Sequence, residues 1–238
     1  GSTTIQYKTT SRIYRAQITK GNALVRDFIP AKDSTGKPCM YDIVNQVPHY
    51  NEATTGADFS MGPELQYAKY SLKAKQVLFT TSNTPQYVWS IPNNIWENYT
   101  VLEFIQSSGT QYIDTGFRPT SKTAVSIIFE DYGEDSGACG LFGARESYSN
   151  ADSLALFPYW GTYGIFYQYG AKYDGFGTYG AGLKTEVLVN GKDIYIDGKL
   201  ASGNNRGNGK LADATFTCQR NLTIFGCNEK KGVSCTTA

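Results

Sequence analysis

The sequence predicts an all-β protein, an antiparallel sandwich of the jelly-roll type, and two observations carry that prediction. Among 238 residues there are 25 glycines, 18 tyrosines and 12 phenylalanines, a balance that favours strands and tight turns over packed helices. The apolar runs are short and bounded by Gly, Asn, Asp, Ser or Pro. Many short strands separated by turn residues are typical of sandwiches and jelly rolls.

The strand candidates follow one another along the chain. Arg12 to Ile18 alternates apolar and polar residues, and Ala23 to Ile29 follows after a turn. Thr185 to Leu200 is the clearest segment, because Asn190-Gly191 between two alternating runs predicts a hairpin with a type I′ turn, and Asp197-Gly198 predicts a second turn. The other predicted strands are Val101 to Gln106, Tyr112 to Thr115, Ala124 to Glu130, Leu154 to Phe157, Gly164 to Tyr169, Ala214 to Thr217 and Leu222 to Phe225.

The stretch from Gln66 to Tyr99 differs from the rest of the chain. Pro85 and Pro92 interrupt regular strand pairing there, so we expect a hairpin or an extended segment along a sheet edge. Glu64 to Leu78 is the only part of the sequence whose spacing allows a short helix.

Charge and histidine content exclude several functions. There are 22 Lys and Arg residues against 21 Asp and Glu, so no strong field attracts a nucleic acid or an anionic membrane, and neither is an expected partner. No apolar run is long enough for a membrane helix, and membrane insertion is not expected. His49 is the only histidine, it has no obvious carboxylate partner nearby in sequence, and we interpret it as a surface or structural residue rather than as a catalytic base.

The five cysteines show no metal-binding or redox spacing. Reduced thiols are the simpler interpretation. A disulfide bond between Cys218 and Cys227 is the alternative, because a short hairpin would place the two cysteines side by side.

The segment Val101 to Gly116 resembles the opening of a laminin-G-like, concanavalin-A-like jelly-roll domain, a family found in surface proteins of gut bacteria and their phages. Three further elements occur in the order typical of the family: Leu141 to Arg145, Tyr195 to Lys199 and Leu222 to Gly226. The resemblance covers roughly residues 100–235.

Residues 1–66 resemble the closing strands of such a domain, although in the family these strands follow the Leu222 to Gly226 element. We therefore divide the chain into closing strands (1–66), a connector (67–100) and a main body (101–238). Three explanations stay open: a circular permutation, an exchange of strands with a neighbouring copy, or a piece cut across two tandem domains. Local closure costs only loop entropy, whereas exchange also needs a partner, so permutation is favoured.

The resemblance implies a non-enzymatic module, extracellular or on a virion surface, with an adhesive or structural role. Its expected partners are glycans or neighbouring surface and virion subunits, including further copies of the chain. The alternatives are a jelly-roll glycoside hydrolase or lyase and a purely architectural subunit whose strands interlock. No catalytic residue is predicted, because the chain lacks the opposed strand carboxylates that glycoside hydrolysis requires.

Two groups of residues are candidates for binding. Tyr159, Trp160 and Tyr163 lie in an aromatic and glycine-rich stretch, where free rings can stack on the apolar faces of sugars; rings in this stretch also suit the buried side of strands. No cofactor is expected. Calcium is the one metal considered, at Asp131, Glu134 and Asp135, which offer three carboxylates in a short loop and would need further oxygen ligands.

Overall fold

A computed structural model of the chain describes residues 3–6, 9–65, 77–79, 87–89, 98–131, 140–146, 152–158, 164–177, 182–204, 207–208 and 210–230. These residues form two large β-sheets and one small one, and no helix in them is long and apolar enough to cross a membrane. The strands are β1 (Thr3–Gln6), β2 (Ser11–Lys20), β3 (Ala23–Asp33), β4 (Pro38–Asp42), β5 (Val47–His49), β6 (Ser60–Met61), β7 (Val77–Phe79), β8 (Tyr87–Trp89), β9 (Tyr99–Val101), β10 (Ile105–Gln106), β11 (Ile113–Asp114), β12 (Thr123–Asp131), β13 (Phe142–Arg145), β14 (Ser153–Phe157), β15 (Phe166–Tyr169), β16 (Lys172–Gly175), β17 (Thr185–Asn190), β18 (Asp193–Ile196), β19 (Lys199–Leu200), β20 (Thr223–Ile224) and β21 (Cys227–Lys230).

Sheet A has the strand order β1-β21-β13-β14-β15-β16, with β20 and β11 attached beside β13. Sheet B has the order β19-β18-β17-β12-β2-β3-β4-β5, with β6, β9 and β10 attached. Neighbouring strands in both sheets are antiparallel, except that β13 and β21 are parallel. β7 and β8 pair with each other in the connector as a separate two-stranded sheet.

One main hydrophobic core joins the two large sheets. It contains Ile18 and Val125 from sheet B together with Phe142, Leu154 and Tyr167 from sheet A, all buried. Alternation along each strand sends every second side chain into this core. The all-β prediction is therefore confirmed, and the architecture is a β-sandwich.

The first third of the chain pairs with the later part of the same chain. β2 runs antiparallel to β12, from Thr123 opposite Lys20 to Asp131 opposite Ser11, with a bulge at which Tyr14 has no opposite residue. β1 runs antiparallel to β21. The strands of residues 3–33 thus occupy positions in both sheets.

The hairpins of residues 185–200 are confirmed, but their turn chemistry differs from the prediction. Asn190 pairs with Asp193, so the turn residues are Gly191 and Lys192, and only Gly191 has a positive φ, of 60°. This is the pattern of a type II′ turn rather than type I′. The type I′ pattern occurs one turn later, where Asp197 and Gly198 have φ values of 48° and 74°.

Two other secondary-structure predictions are wrong. The apolar run Val101 to Gln106 forms two strands, because Val101 pairs with Ala31 on β3, whereas Ile105 pairs with Ile13 on β2. Ala214 to Thr217 forms only a single bridge, between Thr217 and Thr120.

The helix expected within Glu64 to Leu78 is absent from both described ends of that segment. Glu64 forms a bridge to Leu102, and β7 begins at Val77; residues 66–76 lie outside the described residues. The alternative of a disulfide bond between Cys218 and Cys227 is also wrong, since both residues are free, buried thiols.

Candidate functional site

The predicted sugar-contacting residues Tyr159, Trp160 and Tyr163 lie outside the described residues, and so do Glu134 and Asp135 of the predicted calcium loop. Asp131 is buried at the end of β12, where its Oδ1 accepts a hydrogen bond from the Thr9 hydroxyl at 3.3 Å. Within the described ranges, no three His, Cys, Asp or Glu side chains are grouped to hold a metal ion.

The described aromatic residues next to the predicted sugar site are mainly structural. Tyr167 and Tyr169 face the main core, and their hydroxyls donate to the carbonyls of Gly191 and Ser121. Phe157 and Phe166 lie on the opposite face of sheet A in a second apolar cluster. Alternation along β15 therefore divides these rings between two buried faces.

The face of sheet B that points away from the core carries many charged side chains, and they pair with one another. Arg15 donates two hydrogen bonds to Asp27, at 2.9 and 2.7 Å, and Ser126 donates to Glu186 at 3.1 Å. The depression among these side chains has a volume of only about 150 Å³. Its polar groups have little capacity left for a ligand.

Among the described residues, the best candidate site is a cleft of about 470 Å³ at the side of the sandwich, where the edge strands of the two sheets meet. That volume lies within the range of small-molecule sites. Sheet A contributes Asp174 from β16 and the following Phe176, and sheet B contributes the start of β18 and the end of β19. We call this space the edge cleft, and we call the described residues 201–204, 207–208 and 210–211, which follow β19, the cleft loop.

The cleft loop is held against the outer edge of β16. The Asn204 amide donates to the Gly175 carbonyl at 2.8 Å. Asn208 accepts from the Tyr173 amide and donates to the Ala171 carbonyl, both at 2.9 Å. At Gly207 a Cβ would overlap the Tyr173 carbonyl, so only glycine permits this close approach.

Asp174 is the central polar group of the edge cleft. It is only 2% exposed, and its Oδ1 accepts hydrogen bonds from the amides of Gly175 at 2.8 Å and Gly207 at 3.3 Å. In the part of the chain that the structure describes, no group donates a hydrogen bond to Oδ2 and no cation pairs with the carboxylate. A Cβ at Gly203 would overlap Oδ2, so only glycine permits the backbone of the cleft loop to approach this oxygen so closely.

Charged and apolar side chains form the mouth and walls of the edge cleft. Lys192 lies 3.6 Å from Asp193 and 3.5 Å from Asp213, and these two carboxylates raise the pKa of its ammonium group. Lys210 has no ion pair among the described residues. Phe176 and Leu211 add apolar surface. The cleft therefore combines a buried acceptor with apolar walls, an arrangement suited to binding.

Sequence reasoning missed this site. By composition alone, the run Asn204 to Gly209 is typical of an exposed loop, and Asp174 has no distinguishing neighbour in sequence. Closely spaced glycines indicate a close backbone approach, which was the available signal. It does not show that the loop approaches β16, more than thirty residues earlier in the chain.

Comparison of the chain with protein-family models, with curated proteins and with solved structures finds no match. The geometry of the edge cleft is therefore the main basis for assigning a function.

Proposed function

We propose that this chain is a non-enzymatic glycan-binding module that acts on a cell or virion surface, and that the edge cleft is its binding site. The observation that carries the proposal is Asp174, which lines the cleft and whose Oδ2 receives no hydrogen bond from the described residues. A carboxylate oxygen that borders a cleft can accept hydrogen bonds from a ligand that is rich in donors.

Sugars match the rest of the cleft as well. Their hydroxyls can donate to Oδ2, and Ser202 in the wall adds a further polar group. The apolar faces of sugar rings fit against Phe176 and Leu211.

The finer fold and the setting belong to the same proposal. We infer a laminin-G-like jelly roll in which the closing strands precede the opening ones. The pairing of β2 with β12 and of β1 with β21 within the chain supports it. The surface or virion setting rests on the family resemblance of residues 101–116 and the later motifs.

The experiment is a glycan array probed with the intact protein, multimerised to raise avidity, because single sugar sites bind weakly. Asp174→Asn is nearly isosteric, and since the two backbone amides retain the carbonyl oxygen, the new amide NH₂ faces the cleft in place of Oδ2. We expect this variant to lose at least about tenfold in affinity, as removal of a charged acceptor should cause. Asp58→Asn, an exposed substitution outside the cleft, is the matched control and should bind normally.

Two results would contradict the proposal. Equal binding by the wild type and Asp174→Asn would remove the edge cleft as the site, and an array without any bound glycan would favour the architectural alternative. Release of reducing ends from a mixed polysaccharide sample would show an enzyme instead.

A further inference from the structure

The charge distribution of the edge cleft leads to a more specific ligand. Four charged side chains line it: Asp174, Lys192, Asp193 and Lys210. Lys192 is shared between Asp193 and Asp213, so these three residues together carry one net negative charge. Lys210 is exposed to solvent, where water can satisfy it.

Asp174 has a different environment from the other charges. It is buried, and among the described residues its only partners are two backbone amides, both on Oδ1. A buried carboxylate is strongly favoured when it pairs with a cation. The group that suits this cleft-lining carboxylate is therefore a compact cationic donor.

We propose that the edge cleft selects a sugar bearing a free amino group, such as a glucosamine unit of a deacetylated glycan. This inference rests on the proposed function and names its ligand class. The ammonium group would donate to Asp174 Oδ2 at the floor of the cleft, and the ring would lie against Phe176 and the backbone of Gly203. The net charge of the Lys192, Asp193 and Asp213 group favours the same ligand at the mouth.

The first test varies the ligand and leaves the protein intact. Isothermal titration at about pH 6, where a sugar amine is protonated, compares a glucosamine oligomer with its N-acetylated form of equal length. We expect the free amine to bind at least about tenfold more tightly, since a charge-assisted hydrogen bond replaces a neutral one. Equal affinities would overturn the amino-sugar inference and leave glycan binding intact, whereas failure of all sugars to bind would overturn both.

The second test varies the protein. Asp174→Asn should reduce the preference for the free amine to below about twofold, with the melting temperature serving as the folding control. Lys210→Gln removes a cation that repels the ligand, so the affinity for the glucosamine oligomer should rise a few-fold at low salt and less at high salt. A fall in affinity on Lys210→Gln would contradict the charge argument.

A third probe separates the sugar from its amine. N-acetyl-lysine amide carries an ammonium group without a sugar ring, and we expect it to bind at least about tenfold more weakly than the glucosamine oligomer. If it binds equally well, the cleft recognises a lysine side chain of a protein partner, and the sugar assignment is wrong.

Discussion

Arg145 and Glu229 form an ion pair inside the protein, with side chains 0% and 1% exposed and an Nη2 to Oε2 distance of 3.1 Å. Gln168 accepts a further hydrogen bond from Arg145 Nη1 at 3.3 Å. A buried ion pair stabilises the folded state little more than apolar residues of the same volume would. Removing one of its two partners, however, leaves the other charge buried and unpaired. Its members are therefore sensitive to single substitutions.

Replacing Arg145 by Met should lower the free energy of unfolding by about 3–5 kcal/mol, because Glu229 remains buried without its cation. Urea denaturation measures the change. Replacing Lys192 by Met, which removes a solvent-exposed cation, should change the free energy of unfolding far less. The double variant Arg145→Met, Glu229→Met should recover part of the loss; a double variant as unstable as the single one would show that packing, not charge, is responsible.

The buried polar residues could not be identified from sequence. Arg145 belongs to a motif that the sequence revealed, yet its partner Glu229 is 84 residues away. Asp174 likewise depends on Gly207, 33 residues later. Residue type and local pattern predict burial of apolar side chains, but a polar side chain is buried only where the fold supplies a distant partner.

At the scale of elements, sequence patterns predicted what is local. The hairpins from β17 to β19 were predicted because their turn residues and alternation lie within sixteen positions. The division of Val101 to Gln106 between β9 and β10 was not predicted, because it depends on pairing with two different strands, β3 and β2. Short strands such as β5 and β6 were not predicted, because they have too few residues to show a period of two.

The hydrogen bonds between the cleft loop and β16 lead to a prediction about local stability. Asn208→Ala removes the side chain that bonds the Tyr173 amide and the Ala171 carbonyl, so hydrogen exchange at Tyr173 should accelerate and stability should fall by about 1 kcal/mol. Hydrogen exchange followed by NMR measures both effects. Asn22→Ala, at an exposed turn, is the control, and unchanged protection of Tyr173 in Asn208→Ala would contradict the loop's role.

At the scale of the whole molecule, the all-β class followed from composition, whereas the order of strands in each sheet did not. β2 lies between β12 and β3 in the middle of sheet B, although more than a hundred residues separate β2 from β12. Alternation identifies a strand and its buried face, but several strands present similar apolar faces. The choice among them depends on packing throughout the sandwich.

The sandwich buries phenols and thiols that resist ionisation. Burial raises the pKa of Cys39 and of Cys227 to about 12 from 9.0, and it raises the pKa of Tyr41, Tyr167 and Tyr169 above 10.0. Since the unfolded chain releases these protons first, the free energy of the unfolded state falls relative to that of the folded state as the pH rises above about 9. Stability from these groups is complete below about pH 9 and is lost progressively up to about pH 12.

We therefore expect the urea midpoint to fall between about pH 8 and pH 10.5, with each buried thiol contributing up to about 1.4 kcal/mol per pH unit above its unfolded pKa. In Cys39→Ala the urea midpoint should still fall as the pH rises, but by a smaller amount. A midpoint that stays constant over this interval would show that the buried groups ionise as easily as in the unfolded chain.

The cleft loop separates two tasks at the level of single positions. Asn204, Gly207 and Asn208 hold it to β16, whereas Ser202, Lys210 and Leu211 line the cleft. Substitutions at the cleft-lining positions can therefore change ligand preference while the loop still covers the edge of β16. An uncovered edge strand would be able to pair with strands of other chains. A few substitutions in this one loop should therefore give binding proteins with new specificities, while the rest of the fold stays unchanged.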